Sequence, residues 1–331
     1  MSWAAIVGQP LAVRLLRQAI AADKVAHAYL FVGPEGVGKR TVALELAKTM
    51  NCLAPDPSGG ACDTCASCRK VAAEPVSHPD VEAVSPDGRF IKTDQIRALQ
   101  SDMYARPTEG KVRVAVIDGA DRMNAEAGNR ILKLLEEPPA YAVLVMTTHN
   151  LSGVLPTLIS RCQVVSFPPM HPDEVAGALR RRGLAPADAQ LYAALSGGSI
   201  GRAITLSQDP DLSQRRDQVC ELLRQLPEMD DLVLLGQAEG LEKGREHLED
   251  WLELVTMWLR DAMLVAQTES DRLVINADRL PAVRQLADRL GAERLLAMLG
   301  AITDTRGYLQ RNANTRLALD VLLLRLGQIS R

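Results

Sequence analysis

A chain of 331 residues exceeds what one hydrophobic core usually organises, so two or three domains are expected. Its 47% hydrophobic and 24% charged residues fit an ordinary globular protein, and a net charge of −3 excludes a uniformly basic, nucleic-acid-coating surface. With 3% aromatic residues, base-stacking platforms are disfavoured, and no apolar run approaches the ~18 residues of a membrane span.

From the N-terminus, Met1–Ile20 carries Arg14 and Arg17 inside an amphipathic pattern and has no separate apolar segment of the signal-peptide kind, which gives a cytoplasmic expectation. Short β-rich runs then recur at Ala28–Val32, Val112–Ile117, Val143–Thr147 and Val164–Phe167, with Val81–Val84 as a weaker fifth. Each is bounded by glycine, proline or charge, as suits strands buried on both faces of a parallel sheet. Helical periodicity fills the gaps at Leu11–Ala22, Gly38–Met50, Asp94–Met103 and Ala125–Glu136. Alternation of this kind predicts a doubly wound α/β domain over residues 1–167. Beyond Pro168-Pro169, two short helical patterns (Asp173–Arg182 and Ala187–Leu195) and a glycine-rich turn at Gly197–Gly201 suggest a small helical module over 168–206. Residues 207–331 show only helical spacing, in Arg215–Leu226, His247–Val265, Leu280–Leu290 and Arg316–Ile329.

After the first strand comes Gly33-Pro34-Glu35-Gly36-Val37-Gly38-Lys39-Arg40-Thr41. Strand, glycine-rich loop, lysine and helix in that order is the setting of a phosphate loop. Gly33, Gly36 and Gly38 let N–H groups turn inward, the helix start adds a positive dipole end, and Lys39 adds a cation. A plain glycine-rich turn is the weaker reading. ATP or ADP is the ligand such a loop would take, with Thr41 beside it. Arg40, however, stands where the Mg²⁺-holding Ser or Thr belongs, and Thr41 is turned by ~100° around the helix from that place.

The run Val112–Ile117 leads into Asp118-Gly119-Ala120-Asp121. Asp118 suits a Walker B role, holding a metal-bound water, but Gly119 occupies the place of the glutamate that orients the attacking water. Asp121 reads equally well as the cap of the next helix. Thr147 ends the run Val143–Thr147 and Thr148 follows it, and Thr148 is taken as the sensor of nucleotide. Two defects, at positions 40 and 119, predict poor hydrolysis and a doubtful place for Mg²⁺.

Cys52, Cys62, Cys65 and Cys68 fall within seventeen residues, spaced C-x9-C-x2-C-x2-C. Four thiolates complete a closed tetrahedral zinc site, leaving no open position for catalysis and pinning a 52–68 module that has no core of its own. A redox pair or an iron–sulfur cluster is the alternative. Cys162 and Cys220 lack such company and read as buried apolar residues.

Arg161, in Ser160-Arg161-Cys162, reads alone as a surface ion-pair residue. Beside a phosphate-loop domain it suits an arginine finger aimed at a neighbouring subunit's γ-phosphate, because guanidinium is permanently charged and matches phosphate oxygens. Arg202, in Gly198–Ala203, suits the arginine of a lid that reaches back to nucleotide in its own chain; plain solvation is its other reading.

Gly33–Lys39, the four-cysteine insert, His78-Pro79-Asp80, Ile91–Arg97, Asn129–Pro139 and Ser160-Arg161-Cys162 together resemble the AAA+ clamp-loader subunits of bacterial DNA polymerase III. The likeness covers residues 1 to about 205 by motif and the remainder by length and class. It implies an AAA+ domain with a zinc module, a lid over 168–206 and a collar over 207–331. It also implies a place in a five-subunit ring with tau/gamma-type and delta-type subunits, acting on the sliding clamp and primer–template DNA within the cytoplasmic, nucleoid-associated replisome. Chain length and the altered positions 40 and 119 resemble the non-motor delta-prime branch, which lends Arg161 in trans. An ATP-hydrolysing tau/gamma-type motor is the alternative, and a zinc-dependent nucleic-acid-binding module is disfavoured by charge and composition.

Overall fold

Alternate residues of the expected strands carry two different cores. In the computed structural model, which describes residues 3–331 apart from 57–58, 89, 245–246, 269–270 and 312, the chain runs through α1 (Pro10–Ala21), β1 (Ala28–Val32), α2 (Lys39–Met50), α3 (Ala66–Val71), β2 (Val81–Val84), α4 (Thr93–Tyr104), β3 (Arg113–Ile117), α5 (Ala125–Glu136), β4 (Ala142–Thr148), α6 (Pro156–Ile159) and β5 (Gln163–Ser166). The strands form one parallel sheet in the order β2-β3-β4-β1-β5. Leu30 lies opposite Met146 on one side and Val164 on the other.

Because side chains alternate along a strand, Ala28, Leu30, Ala115, Ile117, Leu144 and Met146 face Ile96 and Leu99 of α4 and Ile131 and Leu134 of α5. Tyr29, Phe31, Val114, Val116, Val143 and Val145 face Leu16 of α1 and Val42, Ala43 and Leu46 of α2. Both faces are dry, which explains why the strands are near-continuous apolar runs. This arrangement brings the β1–α2 loop and the ends of β3 and β4 together, the usual place for a ligand in such sheets.

After the sheet come α7 (Pro172–Arg181), α8 (Pro186–Leu195) and α9 (Ile200–Ser207). Each of α7 and α8 opens on proline, whose missing N–H is no loss in a first turn. Val175, Ala176, Leu179, Ala189, Ala193 and Ala203 make their small core. Contacts divide the chain into two units, Met1–Ile204 and Thr205–Arg331. The second holds α10 (Leu212–Gln225), α11 (Asp231–Lys243), α12 (Leu248–Gln267), α13 (Leu280–Gln310) and α14 (Thr315–Ser330), with 3-10 turns as its other regular structure among the described residues. In this unit α12 packs on α13, and α14 on α11 and α13. No described helix is long and apolar enough to cross a membrane.

The second unit contains a buried polar network that periodicity does not reveal. Arg216, 2% exposed, donates Nη2 to Asn276 Oδ1 at 2.7 Å and to Asp278 Oδ1 at 2.8 Å. Asn276 Nδ2 in turn donates to the fully buried Asp261 at 2.8 Å, which also accepts the N–H groups of Ile275 and Asn276. Burial raises the Asp261 carboxyl above its usual range, against the pull of those hydrogen bonds. Arg216→Ala would leave Asn276 Oδ1 without its donors and Asp278 with Arg279 as its remaining cation. Asp278 is half exposed and can rehydrate, so the expected loss is about 3 kcal/mol rather than the full penalty of a buried broken pair. Urea unfolding followed through tryptophan emission measures it, with Trp251 and Trp258 reporting from the second unit, and a loss under about 1 kcal/mol would show the network to be dispensable.

Candidate functional site

The β1–α2 loop bends tightly because Gly36 and Gly38 adopt left-handed φ of 73° and 99°, which other residues reach only with strain. Gly33 is fixed for a different reason: a Cβ there would sit 2.0 Å from the Phe167 carbonyl oxygen. Gly38 caps α2 without a side-chain hydrogen bond. Lys39, only 7% exposed, donates Nζ to the carbonyl oxygens of Gly33 and Pro34, both at 2.6 Å. Burial lowers its amine pKa, while Asp118, Glu35 and Asp121 pull it back up.

The loop borders a cavity of about 520 Å³. Ile6, Val7, Ala178, Ile200 and Ile204 give it an apolar wall suited to a base and sugar. Gly36, Gly38, Lys39, Thr41, Asp118 and Thr148 all line it, so most of the residues expected around nucleotide are brought together. Gly33 contributes through its carbonyl to Lys39 rather than to the wall. Arg202 is not among the lining residues, although it opens the same turn of α9, where its N–H meets Ser199 Oγ at 3.1 Å. Its neighbour Gly201 touches the phosphate loop directly, donating N–H to Gly36 O at 2.9 Å. A Cβ at Gly201 would approach Gly36 Cα to 3.0 Å. Arg122, Arg181 and Arg182 also line the cavity and were not singled out in the sequence; the run Arg180–Arg182 at the end of α7 was the available signal.

At the end of β3, Asp118 Oδ1 accepts the Thr147 hydroxyl at 2.5 Å, and Thr147 Oγ1 accepts the Gly119 N–H at 3.1 Å. Thr148 is turned to Asp121, donating at 2.6 Å, and accepts the Asn150 N–H at 3.0 Å. The threonine in contact with Asp118 is therefore Thr147. Asp121 does not cap α5; Asn124 does, accepting the Ala127 N–H at 2.8 Å. Gly119 has φ of 86°, so a glutamate there would be strained as well as newly introduced.

Arg40 turns to Glu74 as a two-pronged pair, Nη2 to Oε1 at 2.9 Å and Nη1 to Oε2 at 3.3 Å. Glu74 raises the guanidinium pKa and Asp118 adds to it, while Arg40 holds the Glu74 carboxyl below its usual range. The hydroxyl that a Mg²⁺ ion needs after the loop lysine is absent, and a fixed positive charge stands in its place. These residues do not fit the metal.

The four cysteines do fit one. Their Sγ atoms lie within 4.8 Å of one another, with Cys62–Cys68 at 3.9 Å and Cys52–Cys68 at 3.6 Å. A tetrahedron with Zn–S bonds of about 2.3 Å has edges of about 3.8 Å. N–H groups of Cys62, Cys65 and Cys68 point at the sulfurs of Cys52, Cys62 and Cys65 at 3.3–3.4 Å, the second shell a thiolate requires. Hydrogen bonds from Thr64 and Cys65 bring the Cys62 thiol down to about 6, whereas burial pushes Cys68 up. The cluster can hold a structural zinc ion with no position left for water. It is tied to α2 by Ser67 Oγ on the Asn51 carbonyl at 2.7 Å, and by Lys48, which pairs with Asp63 of the module and with Glu45 of its own helix at 2.6 Å. Lys48 and Glu45 are each 3% exposed. Burial alone pushes the Cys162 thiol up to about 12, and it packs against the sheet core.

Arg161 lies beyond α6, outside the cavity. Its Nη2 donates to Glu136 at the end of α5 at 2.8 Å, and Nη1 to the Thr157 carbonyl at 3.1 Å, with about a third of the side chain exposed. Glu136 thus orients it. Asp80 serves the scaffold: it accepts the N–H groups of Thr108, Glu109 and Gly110 at 2.6–2.7 Å, fixing the turn into β3.

The family description "DNA polymerase III, delta subunit" matches residues 8–171, and "DNA polymerase III, delta subunit, C terminal" matches residues 210–328. A Bacillus subtilis protein named DNA polymerase III subunit delta′ is 31% identical over 323 residues, covering 96% of each chain. Its Pseudomonas aeruginosa namesake is 31% identical over 306 residues, 90% of this chain and 91% of that one. A DNA polymerase III subunit gamma/tau from Mycobacterium tuberculosis is 28% identical over 360 residues, 98% of this chain but 61% of the longer relative.

Proposed function

The chain belongs to the delta/delta′ family of bacterial DNA polymerase III clamp-loader subunits, and from that premise we propose that it is the non-motor, delta-prime-type member of the loader. In this reading residues 1–167 are the AAA+ domain, 168–206 its lid and 207–331 the collar through which it joins a five-subunit ring of tau/gamma-type and delta-type subunits. The ring places the sliding clamp on primer–template DNA. This chain supplies structure and Arg161 rather than hydrolysis.

The observation that carries the reading is the state of the phosphate site. Its lysine and cavity persist, but Arg40 replaces the metal-holding hydroxyl and Gly119 replaces the water-orienting glutamate in a backbone conformation that resists restoring it. Arg161, paired with Glu136 at the surface and outside its own cavity, keeps about a third of its side chain exposed, which supports the reading that it serves a neighbour's site. The motor reading, favoured by the gamma/tau relatives, requires the two groups this chain lacks. Reconstitution of the loader with Arg161→Ala is the test: ATP turnover and clamp loading should fall while the ring still assembles.

A further inference from the structure

Resting on the reading of the cavity as a nucleotide site, we propose that Arg40 takes the place of the metal, so that the cavity holds a nucleoside di- or triphosphate as the free anion and binds it no better with magnesium than without. In a phosphate loop the metal stands between two protein groups, the hydroxyl after the loop lysine and the aspartate at the end of the neighbouring strand. Here the first position lines the cavity with a guanidinium, and the second, Asp118, already accepts the Thr147 hydroxyl at 2.5 Å.

The guanidinium is held, not loose. Glu74 accepts one N–H from each of Nη2 and Nη1, at 2.9 and 3.3 Å, which leaves the second N–H of each nitrogen for phosphate oxygens, while Nε is buried and donates to no acceptor. Glu74 follows α3, the helix bearing Cys68, so the four-cysteine module sets where Arg40 is anchored.

Charge points the same way. Lys39, Arg40, Arg122, Arg181 and Arg182 line the cavity against Glu35 and Asp118. Even with Glu74 paired to Arg40 the lining keeps an excess of positive charge, so side chains offset part of the polyphosphate charge that a Mg²⁺-dependent site leaves to the ion. A dication entering beside Arg40 would meet a charge that never titrates away.

The experiment is calorimetric titration of the full chain with ADP and with ATP, in buffer stripped of divalent ions before the protein is added and again with excess magnesium. The wild-type dissociation constants should agree within about twofold between the two conditions, whereas Arg40→Thr should bind about tenfold more tightly with magnesium. Arg40→Lys keeps the charge and should stay indifferent to the metal; it serves as the control if the threonine variant folds poorly. Wild-type binding that improves about tenfold with magnesium overturns the inference while leaving the nucleotide cavity standing. An Arg40→Thr chain as indifferent as wild type removes Arg40 from the role. No binding in either buffer overturns both the inference and the nucleotide reading of the cavity, without touching the role of Arg161.

Discussion

A loader reconstituted with Arg161→Ala should assemble normally and, on the trans role proposed for this arginine, lose on the order of 10³-fold in turnover at one neighbouring ATP site, the lower end of what a finger arginine contributes in other phosphoryl-transfer enzymes. Assembly should survive because the substitution removes one exposed ion pair with Glu136, worth at most ~1 kcal/mol. Arg161→Lys should recover only part of the rate, since an ammonium keeps the charge but not the planar fork that spans two phosphate oxygens. Glu136→Gln should weaken the effect more mildly, by letting the guanidinium wander. Single-turnover ATP cleavage, with each motor's site disabled in turn, locates the loss. A rate unchanged by Arg161→Ala would remove the trans role.

Loss of the metal from the cysteine cluster should produce the second large effect. Elemental analysis should find about one zinc per chain, and Cys68→Ala should weaken binding by more than ~100-fold, because even removal of an outer-shell partner costs 10–100-fold. The damage should not stay local. Ser67 and Asp63 hold the module to α2 through Asn51 and the buried Lys48, so a freed module leaves Lys48 and Glu45 to compensate one another in an apolar setting. Amide exchange should therefore quicken across Cys52–Val71 and into the last turn of α2, the helix that carries Lys39 and Arg40. Protection that is unchanged in a metal-free chain would show the cluster to be ornamental to the fold.

Much of this was legible in the residues. Ala28–Val32 and Val81–Val84 are strands at the very residues whose runs suggested them, and Ala125–Glu136 is a helix over its whole expected span. Such segments announce themselves because burial on two faces, or on one helical stripe, dictates their composition. Helix α11 did not: Gly236 and Gly240 interrupt it, and Leu232 and Val233 lie exposed, so its apolar residues mark no single face. The helical spacing at Leu280–Leu290 marks only the first part of α13, which continues past the kink at Gly291 to Gln310.

At the site, the loop, Asp118 and the cysteines were visible because their chemistry fixes their spacing. Arg181, Arg182, Ile6 and Val7 were not, because only tertiary folding brings them to a loop some thirty to one hundred and fifty residues distant. Spacing could not choose between Thr147 and Thr148 either; strand alternation sends one to Asp118 and the other to Asp121. The strain that guards Gly119 against a glutamate is a property of its φ, on which the sequence is silent.

The most direct test is also the simplest. Purified chain alone, given ATP and magnesium, should release phosphate no faster than a Lys39→Ala control, because neither the metal-holding hydroxyl nor the water-orienting carboxylate is present. Steady turnover well above that control would mean that this polypeptide hydrolyses ATP with its own residues, and the non-motor account would be wrong.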